Sequence, residues 1–261
     1  MKALYIASSG MAAQETNVEV ISNNIANMRT TGYKRQRAEF QDLLYQQLRR
    51  SGSTTSGQGT LAPVGIEIGS GVKTAATPRV MSQGTPTPTE KELDIAVRGE
   101  GFFIVNLPDG RTDYTRDGSF ERGPDGELVN VDGYAIQPGI TVPENATAIS
   151  ISADGTVEAF LDNATTPTQL GQLQLARFVN KAGLASAGNN LFLENASSGA
   201  AQIGTPNTGG VGDLLQGYLE SSNVNSVTEI ADLIAAQRAY EMNARVISGA
   251  DEMMQATSQL R

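Results

Sequence analysis

The chain has 261 residues, enough for one large domain or two smaller ones, and a formal net charge of −9 at pH 7. This acidity argues against nucleic acid as the main partner, because phosphate contacts need a positive surface. The sequence contains no cysteine and no histidine, which excludes thiolate and histidine metal sites and every Ser-His or Cys-His catalytic pair.

The charge is distributed unevenly along the chain. Residues 1–50 carry seven Lys/Arg against four Asp/Glu, a net +3, which leaves −12 for the rest. Such an asymmetry allows one part of a molecule to attract another part of a neighbouring copy.

The first residues only partly match a signal peptide. Lys2 precedes a short apolar run, but Ser8-Ser9-Gly10 interrupts it below the usual length of about 7–15 residues. We therefore expect no cleavage. No stretch approaches the roughly 20 apolar residues of a membrane helix, so we expect no membrane insertion.

An apolar stripe at steps of three and four residues predicts an N-terminal helix with a coiled-coil-like seam. Gln14 is the one polar member of this stripe, and Gly32 is a natural stop after it. The apolar members are Leu4, Ala7, Met11, Val18, Ile21, Ile25 and Met28.

The C-terminal segment predicts a second helix. Ser226 and Glu229 fit a capping box at its start. Two apolar stripes then run along different flanks, and a helix that is apolar on two flanks needs more than one neighbour to cover both. The first stripe contains Ile230, Leu233, Gln237, Tyr240, Ala244 and Ile247; the second contains Ala235, Ala239, Met242, Val246, Gly249, Met253, Ala256 and Leu260.

The middle of the chain predicts β-structure. Residues 51–60 are Gly/Ser/Thr-rich and favour a flexible loop or the tip of an extended excursion. From about 93 to 195, short alternating apolar runs are separated by Asp-Gly pairs that favour hairpin turns. These pairs lie at 109–110, 117–118, 125–126, 132–133 and 154–155.

The predicted fold class is therefore α+β, with an all-β central domain inserted between two antiparallel terminal helices. We expect a discontinuous helical domain over 1–35 and 222–261. A connecting region with an extended excursion is expected over 36–75 and 205–221, and the central β domain over 76–204.

Candidate catalytic or ligand motifs are weak. Ser70 and Lys73 match S-x-x-K, but the S-D-N and K-T-G partners are missing. Gly99-Glu-Gly101 lacks the third glycine of a dinucleotide loop. A calcium-loop register around Gly118 places Pro124 at the twelfth ligand position. We predict no catalytic residue, no metal and no cofactor.

The basic run Lys34–Arg37 is accompanied by one aromatic residue, Tyr33, whereas strand-binding grooves repeat such platforms. Glu39 and Asp42 follow directly. A solvated or subunit-pairing face is the better interpretation.

Several long stretches resemble one family. SNNIANMRTTGYKRQ, residues 22–36, is similar to the N-terminal signature of bacterial flagellar rod and hook proteins. Residues 83–105 and 114–137 resemble the central domain of that family, and residues 215–254 resemble its C-terminal signature. Chain length and residues 34–52 are most similar to members that form the distal rod. The matching signature residues are Asn23, Asn24, Asn27, Gly32, Tyr33 and Lys34.

The resemblance implies a structural subunit that polymerises into the distal rod, the drive shaft that transmits torque from the motor to the hook. It implies an open helical polymer, with proximal rod proteins and hook protein as axial partners and the P and L ring proteins around it. It also implies export by the flagellar type III apparatus without a cleaved signal and a location across the periplasm.

Physical reasoning adds that the amides of Asn23, Asn24 and Asn27 satisfy backbone groups where the first helix ends, or on a neighbour. A proximal rod or hook subunit of the same family is the nearest alternative. A secreted β-domain binding module on a coiled-coil stalk is a hypothesis from another class, and it predicts closed particles of fixed size. An enzyme would need a convergent polar site, which the sequence does not show.

Overall fold

A computed structural model describes residues 2–52, 63–162 and 166–259. In this part of the chain, helices lie at the two ends and strands lie between them, which confirms the predicted α+β class. The chain divides into two compact units: Met1–Ile25, Gln36–Pro78 and Ser226–Arg261 form the helical unit, and Ala26–Arg35 with Arg79–Asn225 form the β-rich unit. The domain boundaries expected from sequence stay a prediction.

The helical unit contains two long helices, α1 (Lys2–Ala26) and α2 (Ser226–Gln259). Helix α2 begins at the predicted Ser226. The two helices run antiparallel, since the Asn24 side chain near the end of α1 contacts Glu229 near the start of α2, and Gly10 approaches Asn243. A Cβ at Gly10 would lie 2.9 Å from the Asn243 amide nitrogen, so glycine permits this close approach.

The helical unit also contains four short strands, within the region predicted to connect the two domains. They are β1 (Glu39–Asp42), β2 (Gln46–Arg49), β3 (Ile66–Ile68) and β4 (Val72–Ala76). β1 pairs antiparallel with β4, and β2 pairs antiparallel with β3. These pairs form a two-stranded ribbon whose predicted flexible tip, 51–60, lies mostly outside the described residues.

The strands of the β-rich unit are short. They are β5 (Pro86–Pro88), β6 (Ile95–Arg98), β7 (Phe102–Asn106), β8 (Thr112–Thr115), β9 (Glu121–Arg122), β10 (Leu128–Val129), β11 (Ala135–Ile136), β12 (Ala146–Ile151), β13 (Thr156–Leu161), β14 (Thr168–Gln172), β15 (Leu175–Arg177), β16 (Ala185–Gly188), β17 (Leu191–Leu193), β18 (Gln202–Gly204), β19 (Asp213–Gln216) and β20 (Tyr218–Glu220). A 3₁₀ turn spans Lys181–Gly183.

Antiparallel pairing organises these strands. The largest sheet has the order β16-β17-β8-β7-β11-β10-β9, and β15 joins it by pairing with β7 and β18. A second sheet has the order β12-β13-β14, while β19 pairs with β6 and β20 with β5. Strands β19 and β20, just before α2, therefore pair with β6 and β5 near the start of this stretch of the chain.

The core of the β-rich unit lies on both sides of β7. Phe103 and Val105 pack into one apolar cluster, and Phe102 and Ile104 pack into a second. This is the two-residue alternation of a strand that is buried on both faces. It explains why GFFIVNL is a continuous apolar run rather than an alternating one.

Four of the five Asp-Gly pairs make the predicted hairpin turns. Gly110, Gly126, Gly133 and Gly155 have φ between 80° and 85°, and each lies between consecutive antiparallel strands. The prediction is wrong for Asp117-Gly118. Gly118 is required by a close approach, since a Cβ there would lie 1.7 Å from the Ile95 carbonyl oxygen.

Candidate functional site: terminal helices and the signature segment

The buried positions of α1 and α2 include several small side chains. Ala7 and Ala13 of α1 and Ala236 and Ala250 of α2 are all buried. Small residues allow two helix backbones to approach closely, but they bury little apolar area per residue. These positions therefore bury little apolar area.

The predicted seam of α1 is only partly buried. Ala7 and Ile21 are buried; Leu4, Met11, Val18 and Ile25 are half-buried; and Met28, which follows the end of α1, is exposed. The buried positions also include Val20 and Asn24, so the covered stripe is shifted from the predicted one. Of these buried positions, Asn24 contacts α2 through Glu229.

The two predicted stripes of α2 have different environments. In the first stripe Leu233 and Ile247 are half-buried, whereas Ile230 and Tyr240 are exposed. In the second stripe Met242, Val246 and Met253 are 61%, 50% and 66% exposed. Leu260 lies outside the described residues. One apolar flank of α2 is thus left facing solvent, and we call Met242, Val246 and Met253 the exposed flank.

Asn24 is the polar centre of the helical unit. It is 1% exposed, and its amide exchanges two hydrogen bonds with the backbone of Gln36: Nδ2 donates to the Gln36 oxygen at 2.8 Å, and the Gln36 nitrogen donates to Oδ1 at 2.9 Å. Nδ2 also donates to Oε2 of buried Glu229 at 3.1 Å. One side chain therefore links α1, the start of α2 and the segment before β1, which confirms that a signature amide satisfies backbone groups.

The other signature asparagines lie in different settings. Asn23 is exposed. Asn27 lies in the turn after α1, where its side-chain oxygen accepts a hydrogen bond from the Thr30 hydroxyl at 3.1 Å. That turn ends at Gly32, which has a φ of 65° and whose nitrogen donates to the Glu220 carbonyl at 2.8 Å. A Cβ at Gly32 would lie 2.8 Å from the Arg116 carbonyl carbon, so glycine is required there.

Lys34 was interpreted as part of a solvated or subunit-pairing face, and this is wrong. Its side chain is 2% exposed and donates to Glu220 Oε1 at 2.5 Å and to the Ser82 carbonyl at 2.9 Å. Burial lowers the pKa of Lys34, whereas the Glu220 carboxylate raises it and nearby Arg116 lowers it further.

Glu220 connects Lys34 to a second buried cation. Its other oxygen, Oε2, accepts from Arg116 Nε at 2.9 Å, and Oε1 also accepts from the Gly84 backbone nitrogen at 2.8 Å. The side chain of Glu220 is fully buried and that of Arg116 is 5% exposed. We call Lys34, Glu220 and Arg116 the buried charge triad. No local sequence pattern indicates it, because its members are more than 80 residues apart.

Tyr33, which directly precedes Lys34, is half-buried. Its carbonyl accepts a hydrogen bond from the Asn223 nitrogen at 3.4 Å, and the Asn223 side-chain oxygen accepts from the Arg35 nitrogen at 2.7 Å. The amide of Asn223 also donates to the Val80 carbonyl at 2.8 Å. The signature segment is therefore fixed within the β-rich unit by hydrogen bonds to its backbone.

Within the described residues, no helix has the length and apolar character needed to cross a membrane. The same residues contain no group of three or more acidic side chains placed to hold a metal ion. What the geometry does provide is a tightly fixed signature segment and a long helix with one uncovered apolar flank. These features define a structural subunit that presents helical surface for assembly.

Comparison with known proteins gives the family. Residues 4–34 match the description "Flagella basal body rod protein", residues 96–159 match "Flagellar hook protein FlgE/F/G D1 domain", and residues 215–260 match "Flagellar basal body rod FlgEFG protein C-terminal". The chain is 57% identical to the flagellar basal-body rod protein FlgG of Caulobacter vibrioides over 261 residues, all of both chains.

More distant relatives show the same full-length match. The chain is 50% identical to FlgG of Agrobacterium fabrum, over 99% of this chain and 98% of that one, and 34% identical to FlgG of Bacillus subtilis, over 100% and 99%. The chain belongs to the family of flagellar basal-body rod and hook proteins. Its identity to FlgG proteins over its full length makes it a structural subunit of the distal rod of the bacterial flagellum.

Proposed function

We propose that the chain polymerises into an open helical rod through the exposed flank of α2, and that the rod transmits torque from the flagellar motor to the hook. The observation that carries this proposal is that flank. Met242, Val246 and Met253 are at least half exposed, in a long helix that contacts α1 through Glu229 and Asn243.

Burial of this flank by neighbouring copies supplies the driving force. Covering apolar surface contributes roughly 25 cal/mol per Å², so three large side chains provide several kcal/mol per subunit. Head-to-tail contacts whose rotation does not close produce an open helical polymer rather than a closed ring. The family membership supports this type of assembly.

A pair of identical substitutions tests the role of the flank. Val246→Gln places a polar group on the exposed flank, whereas Val131→Gln makes the same change at a site in the β-rich unit that is 74% exposed. We expect Val246→Gln to raise the concentration needed for polymerisation, measured by sedimentation, and Val131→Gln to leave it near that of the wild type. Equal critical concentrations for the wild type, Val246→Gln and Val131→Gln would contradict the proposal.

The β2–β3 ribbon provides a second surface for assembly. In and next to this ribbon, Leu44, Leu48 and Val64 are 89%, 61% and 70% exposed, so these residues do not form a core of their own. We propose that the excursion over residues 46–66 lies on a neighbouring subunit and makes the rod straight and stiff. Deletion of residues 51–60 is expected to leave a folded monomer and to alter rod straightness or length. Unchanged rods would contradict this role.

The other partners of the rod are proposed from the family membership. We propose proximal rod proteins and hook protein as axial partners, with P and L ring proteins around the rod as it crosses the periplasm. We also propose export by the flagellar type III apparatus without a cleaved signal, and no catalytic role, cofactor, nucleic-acid partner or membrane insertion. Removal of residues 1–13 would delete Leu4, Ala7 and Met11 from α1. The intact mass of protein from isolated basal bodies is expected to show an uncleaved start, and a mature start near Ala13 would contradict this.

A further inference from the structure

Two members of the buried charge triad, Lys34 and Arg116, line a cavity of about 280 Å³ in the β-rich unit. Lys181 and Glu100 complete its charged lining, and Gln83, Gly99 and Gly101 also line it. A cavity of this size is at the lower end of the range for small-molecule sites, which is roughly 300–1,000 Å³.

The charges around this cavity do not balance. Lys34 and Arg116 share a single carboxylate, Glu220, while Lys181 pairs with Glu100 at 2.6 Å. Three cations against two carboxylates leave a net charge of +1. Buried cations are costly unless they are paired and hydrogen-bonded, so this surplus favours an anion in the cavity.

Hydrogen-bond donors are also left over. Arg116 uses Nε for Glu220 and Nη1 for the carbonyls of Gly99 and Gly101, at 3.0 and 2.6 Å. Among the described residues, its Nη2 has no hydrogen-bond partner, although the side chain is 95% buried. Arg116 is one of the residues that line the cavity. Lys34 uses two of its three N–H groups, for Glu220 and Ser82.

Glu220 cannot satisfy these remaining donors. Its two oxygens already accept from Lys34, Gly84 and Arg116. An oxyanion entering the cavity would accept charge-assisted hydrogen bonds from Arg116 Nη2 and from the Lys34 ammonium group.

We propose that this cavity is an oxyanion-binding site that takes a carboxylate or a group of similar size and charge. Arg116 supplies the N–H groups of Nη2, and Lys181 supplies a cation at the opening, where its side chain is 29% exposed. The site is distinct from the exposed flank of α2, and it requires only the β-rich unit to be folded. The ligand group comes either from an acidic side chain of a second copy of the chain or from a free anion in solution.

The test uses the full chain at a dilution where it remains monomeric. Sodium acetate and inorganic phosphate are titrated against sodium chloride at constant ionic strength, and the arginine Nε–H signals are followed by NMR. We expect a saturable shift of the Arg116 signal with acetate or phosphate and not with chloride. A linear shift, or one equal to that with chloride, overturns the proposal.

Matched variants locate the binding to this cavity. Lys181→Gln removes the cation at the opening and is expected to weaken binding by up to about fivefold, the effect of one partly exposed charge. Lys91→Gln is the control, because Lys91 is an exposed lysine of the same unit that also pairs with a glutamate, Glu121. Equal affinities for both variants would mean that binding occurs elsewhere, and would overturn the assignment.

The source of the ligand group is determined with the same proteins. If a carboxylate of a second copy occupies the cavity, acetate will slow polymerisation of the wild type and will have less effect on Lys181→Gln. If acetate binds the monomer but leaves polymerisation unchanged, the ligand is a free anion. Either result supports the site, whereas polymerisation through the exposed flank of α2 is tested separately by Val246→Gln.

Discussion

Replacement of Glu220 is expected to lower the stability of the fold strongly, because this one carboxylate neutralises two buried cations. Replacement of Glu220 by Gln keeps the shape of the side chain but removes its charge. It leaves Lys34 and Arg116, which lie 2.5 and 2.9 Å from the carboxylate, without a counter-ion. It also turns an N–H group toward one of the donors that now bond the carboxylate.

The expected cost is large. Removing one partner of a buried ion pair costs about 3–5 kcal/mol, since an uncompensated charge remains in a medium of low polarity. This is a substantial share of the roughly 5–15 kcal/mol that stabilises a typical domain. With a urea dependence of about 2.5 kcal/mol per molar, the midpoint of unfolding should fall by about 1–2 M.

The control is the same substitution at an exposed pair. Glu121 contacts Lys91 at 3.3 Å, with both side chains more than 60% exposed, so Glu121→Gln should shift the midpoint by less than about 0.4 M. Urea unfolding of both variants, followed by far-UV circular dichroism, measures the difference. Equal midpoints for Glu220→Gln and the wild type would refute the account of the triad.

The pH dependence of the free energy of unfolding provides a second test of the triad. The folded-state pKa of Lys34 is already lowered by burial and is held up by the Glu220 carboxylate. Without that carboxylate the pKa of Lys34 falls further, so Lys34 in the folded variant releases its proton as the pH rises. In the unfolded chain Lys34 stays charged up to about pH 10.5. The loss of unfolding free energy caused by Glu220→Gln should therefore shrink between pH 7 and pH 9.5, and a constant loss would show that Lys34 is not responsible.

Three further outcomes are expected. Asn24→Asp loses two donated hydrogen bonds and places a carboxylate beside that of Glu229, so it should raise amide exchange in α1 at least tenfold. Asn17→Asp, at a half-buried position of the same helix, should not, and equal rates for the two variants would contradict the central role of Asn24. Burial raises the pKa of Asp113, whose Oδ1 has no hydrogen-bond partner among the described residues, so its carboxyl group destabilises the fold as the pH rises through the folded-state pKa. Asp113→Asn should therefore raise Tm by about 2–4 °C at pH 7 and by less near pH 3. A gain in Tm that is independent of pH would contradict this. In a dilute monomer both terminal helices should exchange their amides faster than the β core, because one flank of α2 is uncovered, and strong protection of both helices would refute folding coupled to assembly.

Sequence patterns predicted the elements whose signals are local. Helical periodicity identified α1 and α2, capping chemistry placed the start of α2 at Ser226, and Asp-Gly pairs identified four hairpins. Gly118 did not follow this pattern because its role depends on the Ile95 carbonyl, which lies 23 residues earlier in the chain. Local turn chemistry carries no information about such an approach.

The buried charge triad could not be predicted for the same reason. Lys34 lies in a basic run, which favours a solvated face, and only the fold brings it to Glu220, 186 residues away. In contrast, the second apolar stripe of α2 was recognisable, since its composition alone shows more apolar surface than one partner helix can cover. The short strands β1 to β4 are almost wholly exposed, so they lack the alternation of buried and exposed residues that marks a half-buried strand.

The most direct test of the account is a cryo-electron microscopy map of filaments assembled from the purified chain. We predict open-ended helical rods in which Met242, Val246 and Met253 are buried against terminal helices of neighbouring copies. Discrete particles of fixed size, or rods in which the exposed flank of α2 still faces solvent, would contradict the claim that this flank drives assembly.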